Sequence, residues 1–434
     1  MDVGVEAEPQ IAHVVPGQSP GTRKDIEMMD QIFSDVRVLD LTWYISGPYC
    51  TKLFADYGAE VIKIERPESG DPARRLPPFL GDDPHPEKSL VFSHLNLNKR
   101  SLTLNLKSEQ GREIFKALVK EAHILVENFR PGVMARLGLD YQTLREINPT
   151  LVMTSISNFG QTGPYRDFEL SELVLNGFHS MIHNGLPDRY PLKKGGRVCL
   201  YQGGQVAALA TLGAFWASEE QSLGQHVDVS LMETQAGDVD RKNIDLLAWA
   251  YSGGPIHAIR TDYEAWRSRN VLPFGIFPSK DGFVVSLPLL NHWPRFIELM
   301  DRPDLEAVFQ QEGNLFDLDI KGEMDVMWYE WLASRTSRQA MEESQNKKFF
   351  VTALQSPKEV VEDPHFKERG MWVEVEHPVT GRQLYPGAPL EVGPGSWQVR
   401  RPAPLLGQHT AEILGERLGY SSAEVDRLRA AGVV

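Results

Sequence analysis

VRVLDLTWYISGPYCTKLFADYGAEVIKIERPESGD, residues Val36–Asp71, alternates two apolar runs with a stretch of helical character. VRVLDL (Val36–Leu41) has the length and β-branched content of a buried strand. Gly47-Pro48 follows, and proline suits the first turn of a helix because the N–H it lacks has no partner there. Tyr49–Tyr57 continues that helix, with Gly58 placed to end it. EVIKIE (Glu60–Glu65) is the next strand. Strand, helix and strand in this order make a βαβ unit, which requires parallel pairing and a right-handed crossover.

The pattern repeats outward. Ser101–Leu106 reads as a strand. Ser108 is placed to cap a helix running through Glu121, with Ile114, Phe115, Leu118 and Val119 on one stripe. His123–Glu127 and Leu151–Ser157 are strands, a Gly/Ala-rich helix starts at Gly204, and His226–Leu231 is a further strand. The fold class is therefore α/β, with a doubly wound, Rossmann-like large domain over residues 34–237. Residues 238–345 read as a smaller α+β domain with linkers, including a hairpin over Gly275–Leu287 that turns at Lys280-Asp281-Gly282. Residues 346–434 form a C-terminal arm ending in a helical Ala423–Ala430. Residues 1–33 are a polar extension with a short helix near Lys24–Phe33. Asp2, Glu6 and Glu8 replace the basic start of a secretory leader.

The chain has 434 residues, 59 Asp and Glu against 45 Lys and Arg, and a formal charge of −14. That balance argues against nucleic acid or an anionic membrane as the main partner, while leaving room for an anionic small molecule in a local basic pocket. Two cysteines, Cys50 and Cys199, exclude a disulfide scaffold and a Cys-rich metal site, and fit a reducing, cytoplasmic setting. Val198–Ser218 carries no charge and is about long enough to span a bilayer. Its Gln202, Gln205, Thr211 and small residues point instead to a buried helix packed closely on its neighbours.

Generic motifs add little. No G-x-G-x-x-G follows the first strand, and there is neither a P-loop nor a G-x-S-x-G elbow. His179 and His183 are four apart but lack an intervening acid and a third ligand, so no metal site is expected. Cys199 reads as a buried, inert thiol despite nearby Arg197. Taken alone, these signals describe an α/β protein with a small-ligand pocket.

Several ordered blocks carry more. Val36–Asp71 resembles the opening of the family III CoA-transferases, the CaiB/BaiF group. The resemblance continues through LNKRSLTLNLKSEQG (Leu97–Gly111), VENFRPGVMARLGLDYQTLREINPTLV (Val126–Val152), GQTGP (Gly160–Pro164), GQHVDVSL (Gly224–Leu231), FGIFPSKDG (Phe274–Gly282), RPAPLLGQHTAEIL (Arg401–Leu414) and the closing GVV. It implies a Rossmann-like domain and a smaller domain joined by linkers, with the C-terminal arm returning to the large domain. Each chain would form an open ring that interlocks with a second subunit. It also implies a coenzyme A thioester as substrate, with no permanently bound cofactor and no metal. Arg66, Lys99, Asn128, Phe129 and Arg136 match the family's CoA contacts, and such residues suit phosphates and a pyrophosphate.

Family transferases use an Asp nucleophile that passes through a mixed anhydride and an enzyme-bound CoA thioester. Here Leu200 occupies that position, with no acid between Val198 and Ser218. Ser171 stands where the racemase subgroup has a histidine, Glu169 where some transferases have a lysine, and Arg269-Asn270-Val271-Leu272 where a Gly-rich loop precedes the FGIFP-like block. The resemblance thus implies a subunit that binds CoA, lacks its own catalytic Asp and acts with a homologous chain carrying it. The supported reaction would move CoA from an acyl-CoA such as succinyl-CoA to a carboxylic acid. Two alternatives stand beside it: a nucleophile relocated to Glu172, and a CoA-binding pseudoenzyme.

Overall fold

The computed structural model describes residues 31–178, 195–238, 272–288, 290–309, 318–387 and 396–434, with a few isolated positions between these spans. Residues 1–30, His179, His183 and Arg269–Val271 lie outside the described residues, and with them most of the expected N-terminal helix. Six parallel strands form the central sheet: β1 Arg37–Leu41, β2 Glu60–Glu65, β3 Arg100–Thr103, β4 Ile124–Glu127, β5 Val152–Ser157 and β6 His226–Ser230. Their order is β3-β2-β1-β4-β5-β6. The order reverses between β1 and β4, so the crevice beyond their carboxyl ends is the natural ligand position of such a sheet. The helices of this domain are α1 Ser46–Asp56, α2 Leu90–Leu95, α3 Glu109–Val119, α4 Val133–Arg136, α5 Tyr141–Ile147, α6 Glu172–Phe178, α7 Val198–Gln221 and α8 Leu231–Asp238.

Alternation along the strands sends side chains to two cores. Leu39, Ile62, Leu125 and Met153 cluster with Ile114, Phe115 and Leu118 of α3. Val38, Val61, Ile124, Val126 and Val152 cluster with Phe54 of α1 and Ala207 and Ala214 of α7. Ser108 caps α3, its Oγ accepting the Gly111 N–H at 3.0 Å. β3 stops at Thr103 rather than Leu106. Asn105 donates its N–H to the Val433 carbonyl at 2.8 Å, so the C-terminal segment takes the place of a longer ladder.

α7 begins at Val198, where the uncharged run starts and six residues before Gly204, and it departs from the expected buried helix in being buried on one face only. Gly203, Gly204, Ala207, Ala208, Thr211 and Ala214 are buried, while Leu209 and Trp216 are 71% and 70% exposed. The glycine pair explains the inner face. A Cβ at Gly204 would stand 2.5 Å from the Ser46 carbonyl oxygen, and one at Gly203 would stand 2.4 Å from Leu231 Cδ2. At Gly204, which meets backbone, only glycine lets α7 lie this close to the start of α1, while a side chain at Gly203 would displace Leu231 of α8. Among the described residues α7 is the one helix long and apolar enough to cross a membrane.

A second sheet is antiparallel, with β7 Gly275–Pro278, β8 Phe283–Ser286 and β9 Val351–Ala353 in that order. The β7–β8 turn closes through Ser279 N–H to Gly282 O at 2.9 Å. Its third strand falls beyond residue 345. Trp293, Phe296, Trp328 and Phe349 form the core beside it. A hairpin of β10 Trp372–His377 and β11 Gly381–Pro386 packs Val375 and Tyr385 against Leu97 of the large domain. The chain then binds the large domain again. The Arg400 guanidinium donates to the carbonyls of Ala55, Gly58 and Ala59. Ile413, Leu414, Val425, Leu428, Val433 and Val434 complete the core under α3.

Candidate functional site

A cavity of about 1370 Å³ opens at the carboxyl ends of β1, β2 and β4. Its wall contains Trp43, Arg66, Asn128 and Phe129, and further along Glu172, Arg197, Leu200 and Leu231. The β1–α1 loop is fixed by side-chain hydrogen bonds. Asn128 Oδ1 accepts the Trp43 N–H and Asn128 Nδ2 donates to the Trp43 carbonyl, both at 2.8 Å. The Trp43 and Phe129 rings meet edge to face with centroids 5.0 Å apart, and the Arg66 guanidinium lies 4.1 Å above the Trp43 ring. A stacked cation beside a pair of aromatic rings suits a planar base and its phosphates.

The five residues expected to contact CoA are therefore not placed alike. Arg66, Asn128 and Phe129 share the large cavity's wall. Arg136 lines an adjoining cavity of about 240 Å³ that shares Asn128, Phe129 and Arg130 with the large one. Lys99 lies behind the wall rather than on it. Its side chain is 0% exposed, and Nζ has oxygen partners at Asp40, Pro48, Thr51 and Asn96, all 2.8–3.0 Å away. Burial and the positive charge of Lys63 push the Lys99 ammonium down to about 8 against the pull of Asp40. Burial alone would raise Asp40, but Lys63 and Lys99 hold it at about 2, so the pair stays charged at neutral pH. Asp40 in turn accepts the Thr42 N–H at 2.8 Å, anchoring the loop that carries Trp43. Trp43 and Lys107, both lining the cavity, were missed. The available signal was their position just past β1 and β3, where parallel sheets hold ligands.

Glu127 supports the same floor from inside. It is buried, and its Oε2 accepts the Phe129 N–H at 2.8 Å. Burial raises its carboxyl to about 7, the Ser155 and Phe129 hydrogen bonds opposing the rise. A carboxyl raised from 4.5 to about 7 in the folded state holds its proton after the unfolded chain has released its own. Stability is therefore expected to fall as pH rises across that window. Urea midpoints measured across the window should decline in wild type and decline less in Glu127→Gln. Equal slopes would contradict the assignment.

At the far end of the cavity Leu200 stands in the first turn of α7. α7 has no side-chain cap from its own Arg197. Glu172 supplies one from α6: Oε1 accepts the Cys199 N–H at 3.1 Å and Oε2 the Leu200 N–H at 3.2 Å. The site's acid thus caps a neighbouring helix. Of the three other acids lining the cavity, Glu65 is held by Arg74 and Ser101, Glu169 pairs with Arg130, and Glu68 is exposed in the turn after β2. Burial, reinforced by the Glu172 charge, lifts the Cys199 thiol to about 11, which leaves it a thiol at neutral pH.

The chain belongs to CoA-transferase family III, whose model matches residues 33–410. It is 31% identical to the succinyl-CoA:(R)-benzylsuccinate CoA-transferase subunit BbsE of Thauera aromatica, over 94% of this chain and 99% of that one. It is 32% identical to the succinyl-CoA:mesaconate CoA-transferase of Haloarcula marismortui, over 88% and 95%. Among solved structures, a CaiB/BaiF family protein from Brucella suis superimposes with a TM-score of 0.74 at 25% identity, covering 90% of this chain and all of that one.

Proposed function

We propose that this chain is a CoA-binding subunit of a heteromeric CoA-transferase, without a nucleophile of its own. A homologous, interlocked partner would supply the catalytic Asp. CoA would pass from an acyl-CoA such as succinyl-CoA to a carboxylic acid, in the cytoplasm and without a bound cofactor. The observation that carries this reading is the first turn of α7. Leu200 faces the cavity there, and both oxygens of the nearest carboxylate, Glu172, accept backbone N–H groups. Leucine offers no lone pair to a thioester, and a carboxylate holding two amide hydrogens is a weaker nucleophile than a free one. The relatives named as subunits support a heteromer.

A relocated nucleophile is the second reading, favoured by one fact: Glu172 itself lines the cavity beside Leu200. A pseudoenzyme is the third. Steady-state assays of the purified chain, alone and with a homologous Asp-bearing chain, separate the first from the others. CoA binding has its own test. Arg66→Ala is expected to weaken CoA binding by about 1–2 kcal/mol, some tenfold, in isothermal titration. An unchanged affinity would remove Arg66 from the site.

A further inference from the structure

Three polar side chains on neighbouring strands form a line that ends at the surface. Glu127 pairs with Ser155 across β4 and β5, and Ser155 pairs with Asp228 across β5 and β6. His226 stands two residues before Asp228 and so shares its face, because side chains alternate along a strand. Ser155 Oγ lies 2.9 Å from His226 Nε2, and the same hydroxyl hydrogen-bonds the Glu127 carboxyl. Glu127 and Ser155 are buried, whereas His226 is exposed and stacks its ring on Tyr141 with centroids 5.3 Å apart. At the inner end Glu127 Oε2 accepts the N–H of Phe129, whose side chain lines the large cavity.

One proton sets the direction of every hydrogen bond in this line. A protonated Glu127 donates to Ser155 Oγ, whose own hydrogen then points at a bare Nε2. An ionised Glu127 accepts from Ser155, which then accepts from Nε2–H. Passage between the two states needs no opening of the fold. The carboxyl gives its proton to Oγ, Oγ gives its own to Nε2, and Nδ1–H is released to water. A carboxylate, a hydroxyl and a neutral imidazole remain, with one proton in solvent. The surroundings bear on both ends. Asp228 on β6 adds its charge to burial in favouring the protonated carboxyl, and among the described residues no cation offsets it. β1 places apolar Leu41 opposite Glu127, and α5 places Tyr141 against His226. Burial holds His226 below the usual imidazole range, with Asp228 opposing, so its ring is neutral at pH 7 and free to accept at Nε2.

We propose that Glu127, Ser155 and His226 form a proton relay that ties ligand binding in the large cavity to pH, an anionic thioester over Asn128 and Phe129 drawing a proton onto Glu127. A carboxylate beneath the floor and an anion above it repel where water is scarce, so the ligand favours the neutral floor. The proposal rests on the reading of the larger cavity as a CoA-thioester site and adds regulation of that site.

Isothermal titration of the full chain with acetyl-CoA, whose sulfur does not titrate, tests it in two buffers of different ionisation enthalpy. Near pH 7.5 wild type is expected to take up roughly 0.3–0.5 proton per ligand beyond Glu127→Gln, which reports the ligand's own share. Its affinity should fall about fivefold from pH 6.5 to pH 8.5 relative to that variant. Equal uptake and equal pH dependence in the two proteins overturn the proposal. Should Glu127→Gln not fold, Ser155→Ala carries the test, since loss of the hydroxyl moves the uptake to higher pH, and an unmoved profile is the contrary result. If no acetyl-CoA binds, the reading of the large cavity fails separately. Nitrogen-15 spectra of labelled histidine in the free chain then decide the relay, with the His226 signals identified by their loss in His226→Gln. A second titration step near pH 7 in the His226 signals, absent from Glu127→Gln, upholds it, and a single step in both overturns it.

Discussion

Lys99→Ala is expected to cost up to about 3 kcal/mol of folding stability, because it takes the contacting cation from a buried carboxylate and leaves Lys63 as its remaining positive neighbour. Asp40 and Lys99 are both 0% exposed and 3.0 Å apart, under the β1–α1 loop. Without the ammonium, Asp40 keeps its hydroxyl partners Thr42 and Thr51 and the nearby Lys63 charge, but loses the ammonium in direct contact with it. CoA affinity should fall as a consequence, through the Trp43 loop that Asp40 anchors, and a urea unfolding curve should show the stability loss first. A variant with unchanged stability and weakened CoA binding would return Lys99 to the cavity wall as a direct contact.

Leu200→Asp is expected to create transferase turnover in the isolated chain. The substitution sets a carboxylate in the first turn of α7, facing the cavity, where a helix N-terminus favours negative charge. Glu172 already occupies the amides of residues 199 and 200, so two carboxylates would share the site and one would hold its proton more tightly. Leu200→Asp combined with Glu172→Gln should therefore be the more active variant. A hundredfold rise over the wild-type chain corresponds to about 2.7 kcal/mol of barrier. Leu200→Asn, which has no nucleophilic oxygen anion, should show no rise. If wild type already turns over and Glu172→Gln abolishes it, the relocated-nucleophile reading replaces the one proposed.

The large domain was legible because its signals are local. Apolar runs such as VRVLDL and EVIKIE, the Ser108 cap and the stripe of α3 fall within a few residues of one another and agree with the fold they build. The start of α7 was not legible in that way. Its cap comes from Glu172, on another helix, and Gly204, read as a helix start, is instead, with Gly203, where α7 touches α1 and α8. The lysines show the same limit. Lys99 and Lys107 lie in one quoted block, and no local pattern distinguishes the one sealed under the sheet from the one on the cavity rim. Arg166 and Ser157 belong to no motif. They line one small cavity with Arg136, a placement set by how β5, α4 and the loop before α6 meet in space.

The measurement that bears most directly on the missing nucleophile is turnover of the purified chain with succinyl-CoA and a panel of carboxylic acids, with hydroxylamine present to trap any acyl or CoA adduct. No turnover and no modified carboxylate in the chain alone, with activity appearing when a homologous Asp-bearing chain is added, is the predicted result. Sustained turnover by the chain alone, with hydroxylamine modifying one of its own glutamates, would contradict it.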